Sequence, residues 1–156
     1  MTTDTAPAFR PDAIGVAADP VPFAVERERI AAYAAATNDP IARHAAGELA
    51  PPVFSIVPSF QAMGMASMSV IPPELLGAIL HGEQDFHFHR PIEPGMNLES
   101  VATPIGMRQR SSGVTVVVRT DTTDEGGELV TEAYSTTFVL DARGAGARLR
   151  RVASRA

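Results

Sequence analysis

Residues 79–95 constrain the fold of this chain more than any other stretch, because an alternating segment there runs into a turn. Its two phenylalanines, Phe86 and Phe88, fall on one side of an extended chain. The polar residues around them fall on the other side: Asp85, His87 and His89. This period of two is typical of a β-strand in a sheet that is covered on a single face.

A turn signal follows this strand directly. Residues 93–96, Glu-Pro-Gly-Met, predict a type II turn, with proline at the second position and glycine supplying a positive φ at the third. The chain is therefore expected to double back into an antiparallel sheet. With 156 residues it suits one domain with one core.

Composition excludes several classes of function. The net charge of −5 argues against nucleic acid or an anionic membrane as a partner, since clustered cationic side chains bind both. The absence of cysteine excludes disulfides, thiolate metal sites and a cysteine nucleophile, and the absence of lysine excludes Schiff-base chemistry. The N-terminal segment lacks the pattern of a signal peptide, and the most apolar run, 53–71, is interrupted by Pro58, Gln61 and serines. We expect a cytoplasmic protein without a membrane span.

The ends of the chain differ in composition from its centre. Residues 1–20 lack periodicity and predict a mobile arm, residues 21–140 predict the folded domain, and residues 141–156 form an arginine-rich tail. A short strand is expected near Val21. Glu26 opens a run of strong helix formers, which ends before Pro40 because the residue preceding proline disfavours the helical region.

The central part predicts one long apolar helix followed by four strands. Apolar residues recur at helical spacing between Phe54 and Met68. Alternating segments then follow at 80–90, 97–107, 114–121 and 129–140, with a hairpin turn at 126–127. A helix that is apolar nearly all round must be covered by other elements. The pattern predicts an α+β hot dog, in which a curved antiparallel sheet wraps around a central helix.

Five motifs in this order resemble the MaoC-like hot-dog hydratases and dehydratases, in particular the N-terminal half of (R)-specific enoyl-CoA hydratase 2. They are Ala-Pro-Pro-Val-Phe at 50–54, Leu-His-Gly-Glu-Gln at 80–84, Arg-Pro-Ile-Glu-Pro-Gly at 90–95, Ser-Gly-Val at 112–114 and Tyr-Ser-Thr-Thr-Phe-Val-Leu at 134–140. In that family the N-terminal half supplies the acyl pocket, whereas the C-terminal half carries a catalytic Asp and His.

The resemblance implies a non-catalytic, acyl-accommodating subunit of an enoyl-CoA hydratase or 3-hydroxyacyl-thioester dehydratase. Its expected partner is a second MaoC-like hot dog that carries the Asp/His dyad. Its substrate would be a bulky acyl-CoA or acyl carrier protein thioester, with no cofactor. The sequence does not choose among fatty, steroid and polyketide acyl groups, or between hydration and dehydration.

The first alternative is a self-sufficient, homo-oligomeric hydratase that uses Asp39 and His44. These residues are five positions apart, as in the family's catalytic pair, and such a dyad can activate water. Two departures count against it. Pro40 follows the aspartate directly, and Pro51-Pro52 replaces a His-Gly at the helix start, where a backbone N–H would stabilise an enolate oxygen.

Other candidate residues lie on the central helix and the first strand of the meander. The methionines around Met65 would suit a cavity for an apolar acyl group. The residues expected to contact substrate are Pro52, Phe54, Gln61, Met63, Met65, His81 and Gly82. His87 and His89 share a face without further clustered ligands, so no metal site is predicted. A second alternative, a hot-dog thioesterase, would need an acidic residue on the central helix, yet residues 54–70 contain none.

Overall fold

The computed structural model describes residues 8–140, which form a five-stranded antiparallel sheet curved around one long helix. The strands are β1 (Val21–Ala24), β2 (Ile79–Phe88), β3 (Asn97–Arg110), β4 (Gly113–Thr123) and β5 (Leu129–Leu140). Their order across the sheet is β1-β3-β4-β5-β2, so β1 and β2 form its edges. The predicted hot-dog architecture is confirmed.

Three helices precede β2: α1 (Arg27–Ala36), α2 (Ala42–Ala45) and α3 (Ile56–Val70). A 3-10 turn, Pro52–Ser55, leads directly into α3. Pro58 lies in the first turn of α3, where the missing N–H costs no helical hydrogen bond. The helix therefore runs uninterrupted through the centre of the domain.

The core lies between α3 and the concave face of the sheet, mainly over β3 and β4. Alternate residues of β4 point inward, and Val116 and Val118 are fully buried there. They meet Ala62 and Ala66 of α3, whose small side chains let the helix approach the sheet closely. The uncovered side of α3 exposes Phe60 and Met65, so the sheet wraps only part of the helix.

The N-terminal segment is packed from Arg10 onward. The Arg10 N–H donates to the carbonyl of Val70 at 2.9 Å, and the Gly15 N–H donates to the carbonyl of Pro104 at 2.8 Å. These bonds join the segment to the end of α3 and to β3. Composition does not report such backbone bonds, and the mobile arm over 1–20 stays a prediction. Residues 1–7 and the predicted tail at 141–156 lie outside the described residues.

A β-bulge at Gly82 interrupts the alternation of β2. His81 pairs with Thr137 of β5, whereas Glu83 pairs with Thr136, so Gly82 is the extra residue. Beyond the bulge the predicted alternation is confirmed, with Phe86 opposite the inward-facing Ala133. Before the bulge, each residue of β2 lies on the opposite face of the sheet from the one that simple alternation predicts. His81 therefore lies on the concave side together with Gln84, and its Nε2 lies 3.0 Å from Gln84 Oε1.

The predicted turns are present. Gly95 has φ +91°, and the Met96 N–H approaches the carbonyl of Glu93 at 3.4 Å, as in a type II turn. The second turn joins β4 to β5, where Asp124 Oδ1 accepts the N–H groups of Gly126 and Glu128. Both turns lie near the end of β2 that carries Phe88.

The stretch Pro52–Val70 has 19 residues with a mean hydropathy of 1.3, long and apolar enough to cross a membrane by length and composition alone. Half of it is buried inside the fold, as in the core helix of a globular domain. This finding is therefore weak evidence for a span.

Candidate active site

The loop after α1 holds Asp39 in a fixed position. Asn38, with φ +53°, ends the helix in the left-handed region, and the Asp39 N–H donates to the carbonyl of Ala34 at 2.9 Å. Asp39 Oδ1 then accepts the N–H of Ile41 at 2.9 Å, so the carboxylate closes a turn across Pro40. Proline suits this turn because it has a restricted φ and no N–H to satisfy.

The short helix α2 brings His44 back against the aspartate. His44 Nδ1 lies 2.8 Å from Asp39 Oδ2, and the His44 side chain is only 6% exposed. The N–H of Ile41 and, second, the bond from His44 hold the pKa of Asp39 below its usual 3.8. The aspartate is thus an anion at neutral pH and can only accept, so the shared proton belongs to His44 Nδ1. The second ring nitrogen, Nε2, points away from this bond.

A cavity of about 530 Å³ opens beside this pair, and His44 forms part of its wall. The rest of the wall is mostly apolar and comes from the loop before α3 and from the end of β2. Its apolar residues are Ile41, Leu49, Ala50, Pro51, Pro52, Phe88, Pro91 and Ile92. A cavity of this size and character suits an apolar chain with a few polar anchoring groups.

Two basic side chains, His89 and Arg90, line the polar side of the cavity. His89 Nε2 lies 3.0 Å from Glu132 Oε2, and this bond is the main cause that lowers the pKa of Glu132. The guanidinium of Arg90 pairs with the carboxylate of Asp124, while about half of the Arg90 side chain stays exposed. Within residues 8–140 no group of three or more His, Asp or Glu side chains is arranged to hold a metal ion.

The start of the central helix offers few donors to the cavity. Pro51 and Pro52 have no N–H, and the N–H of Phe54 donates to the carbonyl of Pro51 at 2.8 Å. Ser55 is the polar residue of this segment that lines the cavity, and it is only 2% exposed.

The residues predicted to contact substrate do not converge on this cavity. Pro52 lines it, but Phe54 is fully buried in the core beside Tyr33, and Met63 belongs to the core on the buried side of α3. The remaining ones are exposed and lie away from the cavity wall: Gln61, Met65, His81 and Gly82. A helical spacing of methionines identifies the buried helix but not which of its faces borders a cavity.

Sequence reasoning missed several residues of the cavity wall, namely Ile41, Leu49, Ser55, Phe88, His89 and Arg90. The wall combines two segments about forty residues apart in the chain. One local signal was available for Ser55. Pro51 and Pro52, shortly before it, have no backbone N–H, so the hydroxyl of Ser55 is a nearby polar group that could replace them as a donor.

A curved antiparallel sheet around a central helix defines this chain as a hot-dog domain. Residues 12–133 match the family model described as FAS1-like, dehydratase domain region, and the chain belongs to this family. The predicted resemblance to MaoC-like dehydratases is thereby confirmed.

Several individual proteins are also similar to this chain. A UPF0336 protein of Saccharopolyspora erythraea is 34% identical over 146 residues, covering 84% of this chain and 89% of its own. A structure described as a MaoC-like dehydratase has a TM-score of 0.69 at 25% identity, covering 84% of this chain and 43% of that one. A chain of the C-terminally truncated HadBC (3R-hydroxyacyl-ACP dehydratase) complex of Mycobacterium tuberculosis has a TM-score of 0.64 at 25% identity. The match covers 81% of this chain and 97% of that one.

Proposed function

We propose that this chain is a subunit of a hydro-lyase that interconverts enoyl and 3-hydroxyacyl thioesters, with Asp39 and His44 as its acid–base pair. The observation that carries the proposal is the 2.8 Å contact of Asp39 with His44, which lines an apolar cavity. Of the two roles weighed from sequence, this one is favoured by the geometry, because Pro40 lies inside the turn that positions the aspartate instead of disrupting it.

The proton transfers follow from the orientation of the pair. In hydration, His44 Nε2 takes a proton from water while the water oxygen bonds to C3 of the enoyl thioester. The double-bond electrons move toward the thioester carbonyl and leave an enolate. Asp39 stabilises the imidazolium formed, which then returns its proton to C2. Dehydration is the reverse, and neither direction requires a cofactor.

The lining of the cavity supports an acyl thioester as substrate. The acyl chain would lie against the apolar wall near Leu49 and Ile92, and Arg90 could pair with a phosphate of the carrier at the mouth. Both CoA and acyl carrier protein present phosphate groups there, so this contact does not distinguish the two carriers.

The free edge of the sheet supports a second hot dog as partner. Among the described residues 8–140, strand β2 pairs only with β5, and it exposes Leu80 and Phe88 at 51% and 53%. Phe88 also lines the cavity. A partner strand docked along β2 would bond its unpaired backbone N–H and C=O groups, and it would also cover the cavity.

A second candidate is the non-catalytic role, in which this domain only accommodates the acyl chain for an Asp/His pair of the partner. One observation favours it. Pro51 and Pro52 remove backbone N–H groups at the start of the central helix, which leaves the cavity short of backbone donors for an enolate oxygen.

Hydration of crotonyl-CoA, followed by the loss of enoyl absorbance, separates the two candidates. The purified chain is assayed alone and together with a co-expressed MaoC-like hot dog that carries an Asp/His dyad. Asp39→Asn and His44→Gln are each expected to reduce turnover about 10²–10⁴-fold. His87→Ala is the matched control, because this histidine packs on Tyr134 outside the cavity.

Unchanged turnover of Asp39→Asn and His44→Gln in an active complex would assign catalysis to the partner. Absence of any turnover, alone or in the complex, would contradict both candidates.

A further inference from the structure

The cavity contains a second buried polar group, Ser55, whose hydroxyl the fold does not use. Ser55 occupies the N-cap position of α3, where a serine side chain ordinarily accepts an N–H of the first turn. Here no such cap is formed. One reason is that the third helical position is Pro58, which has no N–H to donate.

The neighbouring serine makes the contrast clear. Ser59, one turn further along α3, is equally buried, and its hydroxyl donates to the carbonyl of Ser55 at 2.8 Å. The Ser55 hydroxyl makes no hydrogen bond to any residue within 8–140, although Ser55 is only 2% exposed. Ser55 Oγ is not among the buried atoms of residues 8–140 that lack a partner, which are Thr120 Oγ1 and Thr131 Oγ1. The unbonded Ser55 hydroxyl therefore keeps access to the cavity that Ser55 lines, and it is a candidate for ligand binding.

A chemical requirement of the proposed reaction matches this hydroxyl. Negative charge develops on the thioester oxygen, and a donor aimed at that oxygen lowers the barrier. Pro51 and Pro52 cannot supply a backbone N–H, and Val53, the next residue, does not line the cavity. Ser55 and His44 both do.

We propose that the Ser55 hydroxyl is the oxyanion donor of this site, in place of a backbone N–H. This inference rests on the proposed function, since it assigns a role in the same reaction. Ser55 Oγ–H donates to the thioester carbonyl of the bound substrate, and the bond strengthens as the enolate forms. No covalent bond to Ser55 is made or broken, and its proton stays on Oγ throughout.

The test compares two variants of nearly equal size in the assembly that turns over crotonyl-CoA. Ser55→Thr keeps the hydroxyl, whereas Ser55→Val replaces it with a methyl group, so both add the same bulk. The valine variant is expected to lose about 10²–10³-fold in kcat relative to the threonine variant. Ser59→Ala is the control for loss of a buried serine hydroxyl, and its kcat should stay within about threefold of wild type.

A binding measurement separates catalysis from packing. An S-alkyl CoA thioether lacks the carbonyl oxygen, so Ser55→Ala should bind it as wild type does while kcat for crotonyl-CoA falls. Equal kcat for Ser55→Thr and Ser55→Val would overturn the inference, as would equal loss of thioether binding and of kcat in Ser55→Ala.

His44→Gln, assayed in parallel, distinguishes failure of the proposed function from failure of the role assigned to Ser55. If His44→Gln is inactive while Ser55→Val matches Ser55→Thr, only the role of Ser55 is wrong. If His44→Gln turns over as wild type does, the proposed function fails, and the role of Ser55 fails with it.

Discussion

His44 Nδ1 and Asp39 Oδ2 lie 2.8 Å apart although a proline follows the aspartate directly. The second oxygen of the same carboxylate accepts the Ile41 N–H at 2.9 Å, so Pro40 is enclosed in the turn that orients the pair. Within the part of the chain that the structure describes, each oxygen of Asp39 thus has one partner, and His44 Nε2 has none.

Acid stability should depend on Asp39. Its pKa is lowered in the folded protein by the Ile41 N–H and by His44, so at acid pH the unfolded chain binds the proton more readily. The stabilisation is present in full above the usual value of 3.8 and is lost as pH falls through the lower folded pKa. Asp39→Asn should flatten the dependence of the free energy of unfolding on pH in that range. An unchanged acid dependence in urea titrations would contradict this.

Gly47 should tolerate alanine much less well than Gly95. Both glycines have positive φ, +68° and +91°, so either substitution carries strain of about 1 kcal/mol. A Cβ on Gly47 would in addition lie 2.3 Å from the Arg27 carbonyl oxygen, whereas one on Gly95 meets nothing within 4 Å. We expect Gly47→Ala to cost about 3 kcal/mol in urea unfolding. Equal losses for the two variants would contradict the contact.

Gly47→Ala should also lower activity more than Gly95→Ala does, because the Gly47 N–H donates to the carbonyl of His44 at 2.9 Å. Displacing Gly47 therefore displaces His44, and crotonyl-CoA turnover should fall in Gly47→Ala. Gly95→Ala, at a turn outside the cavity wall, should keep it.

Replacing either of two buried threonines, Thr120 or Thr131, with valine should stabilise the folded protein. Within residues 8–140 the hydroxyls of Thr120 and Thr131 have no hydrogen-bond partner, and both residues are essentially unexposed. Valine has the same shape without the polar group, so each substitution should raise the free energy of unfolding by about 1 kcal/mol. Thr122→Val is the control, because it would leave the Ser100 hydroxyl, now 2.8 Å from Thr122, buried and unpaired. In thermal melts, Tm should rise for Thr120→Val and Thr131→Val and fall for Thr122→Val.

Association should depend on the exposed side chains of β2. A charge at Leu80, which is 51% exposed on this open edge, should prevent a second hot dog from docking. Leu80→Arg is therefore expected to reduce the mass measured by light scattering to that of one chain. Ile105→Arg, a comparably exposed site on β3, should leave the assembly intact. Equal behaviour of both variants would place the interface elsewhere.

The strands were predictable because their signals are local. The alternation of Phe86 and Phe88 and the Pro-Gly turn after them each depend on neighbouring residues, and tertiary packing reinforces both. The bulge at Gly82 was not predictable, because one unpaired residue exchanges the faces of everything before it. His81 consequently lies beside Gln84 and outside the cavity wall.

The hot-dog fold, the turns and the spacing of Asp39 and His44 can be read from the chain alone, since periodicity and turn chemistry operate over a few residues. The three-dimensional fold was needed to show that the two side chains meet, that Met63 belongs to the core, and that Ser55 borders the cavity. The physical reason is that a cavity is built where distant segments meet, here the end of β2 and the start of α3. Such meetings depend on register and helix rotation, which no local pattern specifies.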